Sequence, residues 1–116
     1  MSAACAQRAP RPRQPAPPSS TSFSATAYCQ GTTTASGARV RSGIVAADPT
    51  VLPLGTTIRL EGLEPRYNRV YRVLDTGRSV RGREIDIYMR DCREAIRFGR
   101  RSASVSVVRG APLRRR

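Results

Sequence analysis

Glycine and proline divide the chain into short segments, most of which alternate apolar residues with small or polar ones. A period of two places alternate side chains on opposite faces of a strand, so these segments are predicted as half-buried β-strands. About six such strands, closely spaced, favour a small closed barrel over a βαβ sheet. The segments are SFSATAYC, GIVAA, TTIRL, YNRVYRVLD, EIDIYM and SASVSVV. The sequence therefore predicts a mainly β fold.

The segment EIDIYM gives the clearest strand pattern. Ile85, Ile87 and Met89 fall on one face of a strand, and Asp86 and Tyr88 fall on the other. A carboxylate at mid-strand is costly when it is partly buried, unless the protein uses it. Asp86 is thus a candidate functional residue.

One short helix is predicted after this strand, in RDCREAIRFGRR. Asp91 is a suitable N-cap, Glu94 then occupies the third helical position, and Gly99 can end the helix. We expect one or two short helices in all.

Three regions are expected along the chain. Residues 1–20 are predicted as a disordered linker rich in proline and arginine, because proline cannot continue a sheet or a helix interior. Residues 21–110 are predicted to form the barrel domain, and residues 111–116 a basic tail. No internal repeat or second domain is apparent.

The chain is strongly basic, with a formal net charge of +13 over 116 residues. This predicts an anionic partner, and nucleic acid, anionic lipid and an acidic cell-wall polymer all qualify. All the basic residues are arginine, and much of the excess charge lies near the two ends of the chain. Basicity alone therefore does not choose among these partners.

The N-terminal region bears on localisation. No apolar run approaches the roughly 20 residues of a membrane span, so no integral membrane segment is predicted. Cys5 follows the residues SAA, as in a lipoprotein cleavage site, and a proline-rich linker follows. A lipid anchor with an extracytoplasmic location is one interpretation, in which the export signal is missing from the given start; an incidental cysteine is the other.

Cys29 and Cys92 are a candidate disulfide pair, because one ends the first predicted strand and the other opens the predicted helix. A bridge between them would close a loop of about 60 residues and would stabilise the fold by about 4 kcal/mol in the chain-entropy model. The alternative is two reduced, buried thiols in a cytosolic protein. The chain has no histidine and no CxxC spacing, so neither a metal site nor a cofactor is predicted.

The aspartates Asp48 and Asp75, taken singly, have ordinary structural interpretations. Asp48 precedes a proline and is typical of a turn, and Asp75-Thr76-Gly77 is typical of a junction between a strand and a turn. The order of the surrounding motifs carries more information. TASG, A-D-P followed by P-L-G-T, D-T-G, and G-R-x-I-D follow one another, and the aspartate of the last lies eleven residues after Asp75.

Between about Ser22 and Val108 this order resembles the three-aspartate (3D) domain. That domain is a double-psi β-barrel found in the membrane-bound lytic transglycosylase A family and in some secreted wall-active proteins. The resemblance implies a six-stranded double-psi barrel and maps the three aspartates onto Asp48, Asp75 and Asp86.

The activity implied by the resemblance is transglycosylation of peptidoglycan. An acid protonates the glycosidic oxygen between N-acetylmuramic acid (MurNAc) and N-acetylglucosamine (GlcNAc). As a carboxylate it then takes the proton of the muramic C6 hydroxyl, which attacks the anomeric carbon and leaves a 1,6-anhydro sugar. The resemblance assigns Asp86 as this acid/base, Asp75 as the neighbour that raises its pKa and orients it, and Asp48 as a residue that holds the loop geometry.

The predicted partner is a peptidoglycan glycan strand, bound by a monomer. Thr76 and Gly77 would supply hydroxyl and N–H contacts to the sugar, and Tyr88 would flank the groove. The chain departs from the family pattern in DTGRSVRG, which brings Arg78 and Arg81 near the site. A guanidinium lowers the pKa of a nearby carboxyl, so these arginines should point away or bind lactyl and peptide carboxylates.

Three alternatives stay open. A retropepsin-like aspartic protease would pair one D-T-G per chain across a dimer, and VLDTG fits that signature. A non-catalytic wall-binding module, alone or with another wall protein, would keep the barrel and the arginine contacts without needing all three aspartates. A nucleic-acid binder would present aromatic residues among basic ones, but the six aromatic residues are scattered, so no nucleic acid is expected as partner.

Overall fold

The computed structural model describes residues 20–110. The predicted basic tail, Cys5 and, apart from Ser20, the predicted linker lie outside the described residues. The elements in chain order are β1 Thr21–Tyr28, β2 Ile44–Ala47, β3 Thr57–Glu61, a 3-10 turn Pro65–Tyr67, β4 Val70–Asp75, β5 Glu84–Tyr88, α1 Cys92–Phe98 and β6 Arg101–Arg109.

The six strands close into one barrel in the order β1-β5-β2-β4-β3-β6. Two of the neighbouring pairs are parallel, β1 with β5 and β2 with β4, and the remaining four are antiparallel. The predicted mainly β, six-stranded double-psi barrel is confirmed. Strands that are far apart in sequence become neighbours, which brings several separate motifs to one side of the barrel.

Alternation along the strands fills the barrel interior. Ile85, Ile87 and Met89 are buried as predicted, and Val45 of the adjacent strand β2 and Val73 of β4, the next strand in the barrel, are fully buried. Removing branched aliphatic side chains from water is the main stabilising term for a domain of this size. The face opposite to this core is where polar side chains of β1, β4 and β5 lie.

One strand boundary differs from the prediction. The segment YNRVYRVLD was expected to be extended from Tyr67, but β4 begins at Val70. Pro65 starts a 3-10 turn in which the Tyr67 N–H donates to the Glu64 carbonyl. The Asn68 side chain then pairs with both backbone groups of Leu63, which fixes the loop before the strand.

The helix forms where it was predicted. The Asp91 carboxylate caps its first turn by accepting from the Arg93 N–H at 2.9 Å, and Gly99 ends it with a positive φ of 64°. Glu94 accepts a hydrogen bond from the Tyr67 hydroxyl at 2.6 Å, which joins the helix to the 3-10 turn. Within residues 20–110, no helix is both long and apolar enough to cross a membrane.

A disulfide joins Cys29 to Cys92, with a Cα–Cα distance of 5.1 Å. Cys29 directly follows the end of β1, and Cys92 is the first residue of α1. The bond therefore fixes the end of β1 against the start of the helix, one residue beyond Tyr28.

Candidate active site

Four residues on four adjacent strands form a row on the outer face of the barrel. Thr26 of β1 is in register with Asp86 of β5, Asp86 with Ala46 of β2, and Ala46 with Asp75 of β4. Residues in register on neighbouring strands point to the same face of a sheet. The two aspartates therefore lie on one side of the molecule, with only the methyl group of Ala46 between them.

A β-bulge brings Asp75 to this face. Val45 is in register with Val73, but the next residue, Ala46, is in register with Asp75, so Leu74 is the extra residue. Without this irregularity, Asp75 would share the face of Val73, which is fully buried in the core. The bulge thus redirects a carboxylate from the interior to the row beside Asp86.

The carboxylate of Asp75 is held by three donors from its own chain. Its Oδ1 accepts from the backbone N–H of Ala35 at 2.8 Å and from that of Thr76 at 2.9 Å, and its Oδ2 accepts from the Tyr28 hydroxyl at 3.0 Å. Ala35 belongs to the TASG turn, whose Ser36 N–H also donates to the Leu74 carbonyl. The TASG turn therefore positions the Asp75 carboxylate.

Asp86 has fewer hydrogen-bond partners than Asp75. Its Oδ1 accepts from the Thr26 hydroxyl at 2.9 Å. Burial raises the pKa of Asp86 above its ordinary value; the Thr26 hydrogen bond opposes the rise, the charge of Asp75 adds to it, and the charge of Arg100 opposes it. Asp75 therefore raises the pKa of Asp86, as the resemblance implied, but burial is the larger cause.

Tyr28 of β1 contacts both Asp75 and Tyr88 beside the row of aspartates. Its ring meets that of Tyr88 edge to face, with the centroids 5.5 Å apart, while its hydroxyl donates to Asp75. Burial raises the pKa of Tyr28 well above its ordinary value, and the hydrogen bond to Asp75 raises it further. Tyr28 is thus a neutral hydrogen-bond donor at the site.

Asp48 belongs to a different local structure at the end of β2. Its Oδ1 accepts from the backbone N–H and the hydroxyl of Thr50, at 3.0 and 2.7 Å, and its Oδ2 accepts from the Gly82 N–H at 2.8 Å. These bonds lower the pKa of Asp48, Gly82 having the largest effect, and the charge of Arg81 lowers it slightly more. Asp48 ties the turn after β2 to the turn before β5.

The segment that follows Asp75 is a compact turn. The Thr76 N–H is engaged by Asp75, and the Val80 N–H donates to the Gly77 carbonyl. A Cβ at Gly77 would lie 2.7 Å from Cγ2 of Val80, so any larger residue here would displace the Val80 side chain. The residues Thr76 and Gly77 are next to the row, and their contacts to a sugar stay predictions.

The two arginines of the DTGRSVRG segment are exposed. Arg81 donates from Nε to the carbonyl of Arg78 at 3.2 Å. The guanidinium that affects Asp86 belongs instead to Arg100, which donates to the Ser24 hydroxyl at 2.7 Å and lies 3.7 Å from Glu84. The binding roles predicted for Arg78 and Arg81 stay predictions.

Four residues that contact or influence the two aspartates were missed by the sequence analysis: Thr26, Tyr28, Ala35 and Arg100. Alternation in SFSATAYC places Thr26 and Tyr28 on the same strand face, so this pattern could have identified the two residues as neighbours. Nothing in the local sequence pairs Ala35 or Arg100 with an aspartate. Within residues 20–110 no group of three or more metal-binding side chains occurs.

Comparison with known proteins gives a consistent result. The chain is 30% identical over 96 residues to YabE of Bacillus subtilis strain 168, which is named for cell wall shaping; the match covers 78% of this chain and 22% of YabE. It is 32% identical over 65 residues to the cell wall-binding protein YocH of the same organism, covering 56% of this chain and 21% of YocH.

Among solved structures, the fold is similar to that of MltA from Escherichia coli, described as a lytic transglycosylase fold. The TM-score is 0.57 with 25% sequence identity, and the match covers 69% of this chain and 28% of MltA. This chain therefore spans less than a third of the length of each of these three relatives. The sequence also matches the 3D domain family over residues 43–109, more than half of the 116 residues. The chain belongs to the 3D domain family.

Proposed function

We propose that this protein is a lytic transglycosylase that cleaves the β-1,4 bond between MurNAc and GlcNAc in peptidoglycan and leaves a 1,6-anhydro-MurNAc end. One observation carries the proposal. Asp86, half-buried and with a raised pKa, shares an outward-facing row with Asp75 and is separated from it only by Ala46.

The raised pKa suits Asp86 for two successive proton transfers. A general acid works best when its pKa approaches the working pH, since it must hold a proton and also release it. Protonated Asp86 would give its proton to the glycosidic oxygen as the bond to the anomeric carbon breaks. As a carboxylate it would then accept the proton of the muramic C6 hydroxyl while that oxygen bonds to the anomeric carbon. No water is consumed.

The neighbouring residues would have separate roles in this reaction. Thr26 donates to one oxygen of Asp86 and so fixes the orientation of the carboxyl group. Asp75, held by three donors, would favour the protonated form of Asp86 and stabilise positive charge that develops on the sugar. Asp48 would maintain the turn before β5, with Thr76, Gly77 and Tyr88 lining the groove.

The barrel is also consistent with action outside the cytoplasm. The Cys29–Cys92 disulfide is typical of an oxidising compartment. The names of YabE and YocH refer to the cell wall. We therefore propose an extracytoplasmic location, in the periplasm, at the outer membrane or in the cell wall, with glycan strands as the partner.

Product analysis tests the proposal directly. The purified chain is incubated with peptidoglycan sacculi, and the soluble fragments are analysed by mass spectrometry. We expect muropeptides lighter by one water than the hydrolytic species, and none from the Asp86→Asn or Asp75→Asn variants. Hydrolytic products would contradict transglycosylation, and no product from any form would contradict catalysis by this chain alone.

A non-catalytic wall-binding module is the second candidate. It is favoured by the length of the match, since this chain corresponds to only 28% of MltA, and by the name of the wall-binding relative YocH. Retention on sacculi with no soluble product, unchanged by Asp86→Asn, would support it.

The aspartic-protease alternative is less well supported. It requires the D-T-G carboxylate of one chain to meet that of a second chain. Here three donors of the same chain, from Tyr28, Ala35 and Thr76, already occupy the Asp75 carboxylate. Sensitivity to pepstatin together with dimerisation would be needed to revive it.

A further inference from the structure

A cleft of about 560 Å³ lies on the Tyr88 side of the aspartate row. It is lined by three arginines, Arg39, Arg41 and Arg90, together with the hydroxyl-bearing residues Thr32, Ser42 and Tyr88. Its lining contains no acidic residue. We call it the arginine cleft.

The charges of the arginine cleft are not neutralised by nearby carboxylates. In the described part of the chain, no acidic side chain lies within 4.0 Å of the guanidinium groups of Arg39, Arg41 or Arg90. By contrast, Arg66 pairs with Glu64 and Glu94. Three positive charges around one concavity repel one another and concentrate an attractive potential for an anion.

A neighbouring cleft provides an internal comparison. It has a volume of about 300 Å³, shares Ser42, Tyr88 and Arg90 with the arginine cleft, and is also lined by Arg66, Arg69, Asp91 and Glu94. Its two acids offset part of the charge of its three arginines, and Glu94 pairs with Arg66. The arginine cleft has the same number of arginines in its lining and no acid to offset them.

The arginine cleft is connected to the aspartate row in two ways. Tyr88 lines the cleft, and its ring meets the Tyr28 ring whose hydroxyl donates to Asp75. The loop that carries Arg39 and Arg41 also carries Ala35, whose N–H donates to the same carboxylate. A ligand bound at the two aspartates and a group bound in the arginine cleft would thus contact the same loop, between β1 and β2, and the same pair of tyrosine rings.

We propose that the arginine cleft binds carboxylate groups of the peptide stem carried by the MurNAc residue of the glycan strand. The proposal rests on the proposed function, because it requires a strand lying across Asp86. A stem attached to the lactyl group of that sugar carries several carboxylates away from the strand. Guanidinium groups match carboxylates geometrically as paired donors, and the hydroxyls of Thr32 and Ser42 add further donors.

The experiment compares binding of the full chain to three soluble probes. These are glycan strands that bear peptide stems, the same strands after an amidase has removed the stems, and a polyglycerol phosphate. We expect the wild-type chain to bind the stem-bearing strands about tenfold more tightly than the stripped strands, a difference that should shrink as salt is raised.

The variant Arg39→Gln/Arg41→Gln/Arg90→Gln should lose this preference and bind both strands as the wild type binds the stripped ones. A matched variant removes the same charge from β3, α1 and β6, through Arg59→Gln, Arg97→Gln and Arg109→Gln. It should keep the preference, which separates a local site from the effect of net charge.

Three results would overturn the proposal. Equal affinity of the wild type for both strands would end it while leaving the proposed function intact. Tighter binding of polyglycerol phosphate than of stem-bearing strands would make the cleft a phosphate site. Failure to bind either strand would end this proposal and the glycan-strand function together.

Discussion

The resemblance to the 3D domain maps both Asp86 and Asp48 onto its three aspartates, yet their surroundings shift their pKa values in opposite directions. Asp86 lies in mid-strand, half-buried and with one side-chain donor, and burial raises its pKa. Asp48 lies in a turn with three donors, and those hydrogen bonds lower its pKa. The difference separates a carboxyl group suited to carrying a proton from one suited to holding two turns together.

The largest expected effect concerns activity. Asp86→Asn should lower the rate of 1,6-anhydro product release by about 10²- to 10⁴-fold, because the amide can neither give nor take the proton. Asp48→Asn should lower it by less than about tenfold, because the turn loosens but the acid remains. Product release is followed by mass spectrometry, with circular dichroism to check the fold. Equal losses in the two variants would remove the distinction between the two aspartates.

The second prediction concerns the Cys29–Cys92 disulfide, which follows directly after Tyr28. The variant Cys29→Ala/Cys92→Ala should lose about 4 kcal/mol of unfolding free energy, because the disulfide closes a loop with a sequence separation of 63 residues. Urea unfolding with and without reductant measures this loss. Reductant should destabilise the wild type and leave the variant unchanged. A difference below about 1 kcal/mol would show that the barrel is stable without the bond.

The third prediction concerns the Tyr28 hydroxyl, which donates a hydrogen bond to Asp75. Tyr28→Phe should lower kcat/KM by about tenfold, since a hydrogen bond to a charged group contributes about 1.5 kcal/mol or more. The ring contact with Tyr88 should be retained, so the loss of unfolding free energy should not exceed that of the one hydrogen bond, about 1.5 to 3 kcal/mol. Tyr88→Phe is the matched control and should have a smaller effect on kcat/KM. An unaltered kcat/KM in Tyr28→Phe would exclude Tyr28 as a positioning residue.

The smallest expected effect is on stability as a function of pH. The folded-state pKa of Asp86 is raised, so the folded chain binds this proton more tightly than the unfolded chain, and stability falls as pH rises through the folded pKa. Asp86→Asn should therefore be more stable than the wild type at neutral pH. The gain should disappear below the unfolded pKa of an aspartate.

Asp48 should show the opposite sign. Its folded-state pKa is lowered, so its contribution to stability is present above the unfolded pKa and is lost as pH falls through the folded pKa. Asp48→Asn should thus be less stable than the wild type at neutral pH, with the difference closing in acid. Urea unfolding across the acidic to neutral range measures both variants. Parallel curves would contradict the opposite shifts.

The strands of the barrel were largely predictable because their signal is local. In EIDIYM, alternation alone separated the buried Ile85 and Ile87 from Asp86 on the other face. The helix was equally predictable from the sequence, because Asp91 and Gly99 each bond to a backbone group no more than four residues away. The start of β4 was wrong by three residues because Pro65 favours a 3-10 turn over an extended strand.

The candidate site was predictable only in part. Motif order named Asp48, Asp75 and Asp86, but alternation from Val73 would have directed Asp75 into the core. Its actual direction depends on a bulge in the pairing of β2 with β4. Its partner Tyr28 is 47 residues away in sequence, and no local pattern links the two.

The sequence by itself determined which segments are strands, which faces are apolar and which acidic residues are available, because these depend on side-chain periodicity within a few residues. Only the closed barrel decided that Thr26, Asp86, Ala46 and Asp75 stand in one row. The physical reason is that strand register, the burial of a side chain and its distance from another carboxylate all depend on contacts between segments that are distant in sequence. These contacts form only when the strands pair in the folded barrel.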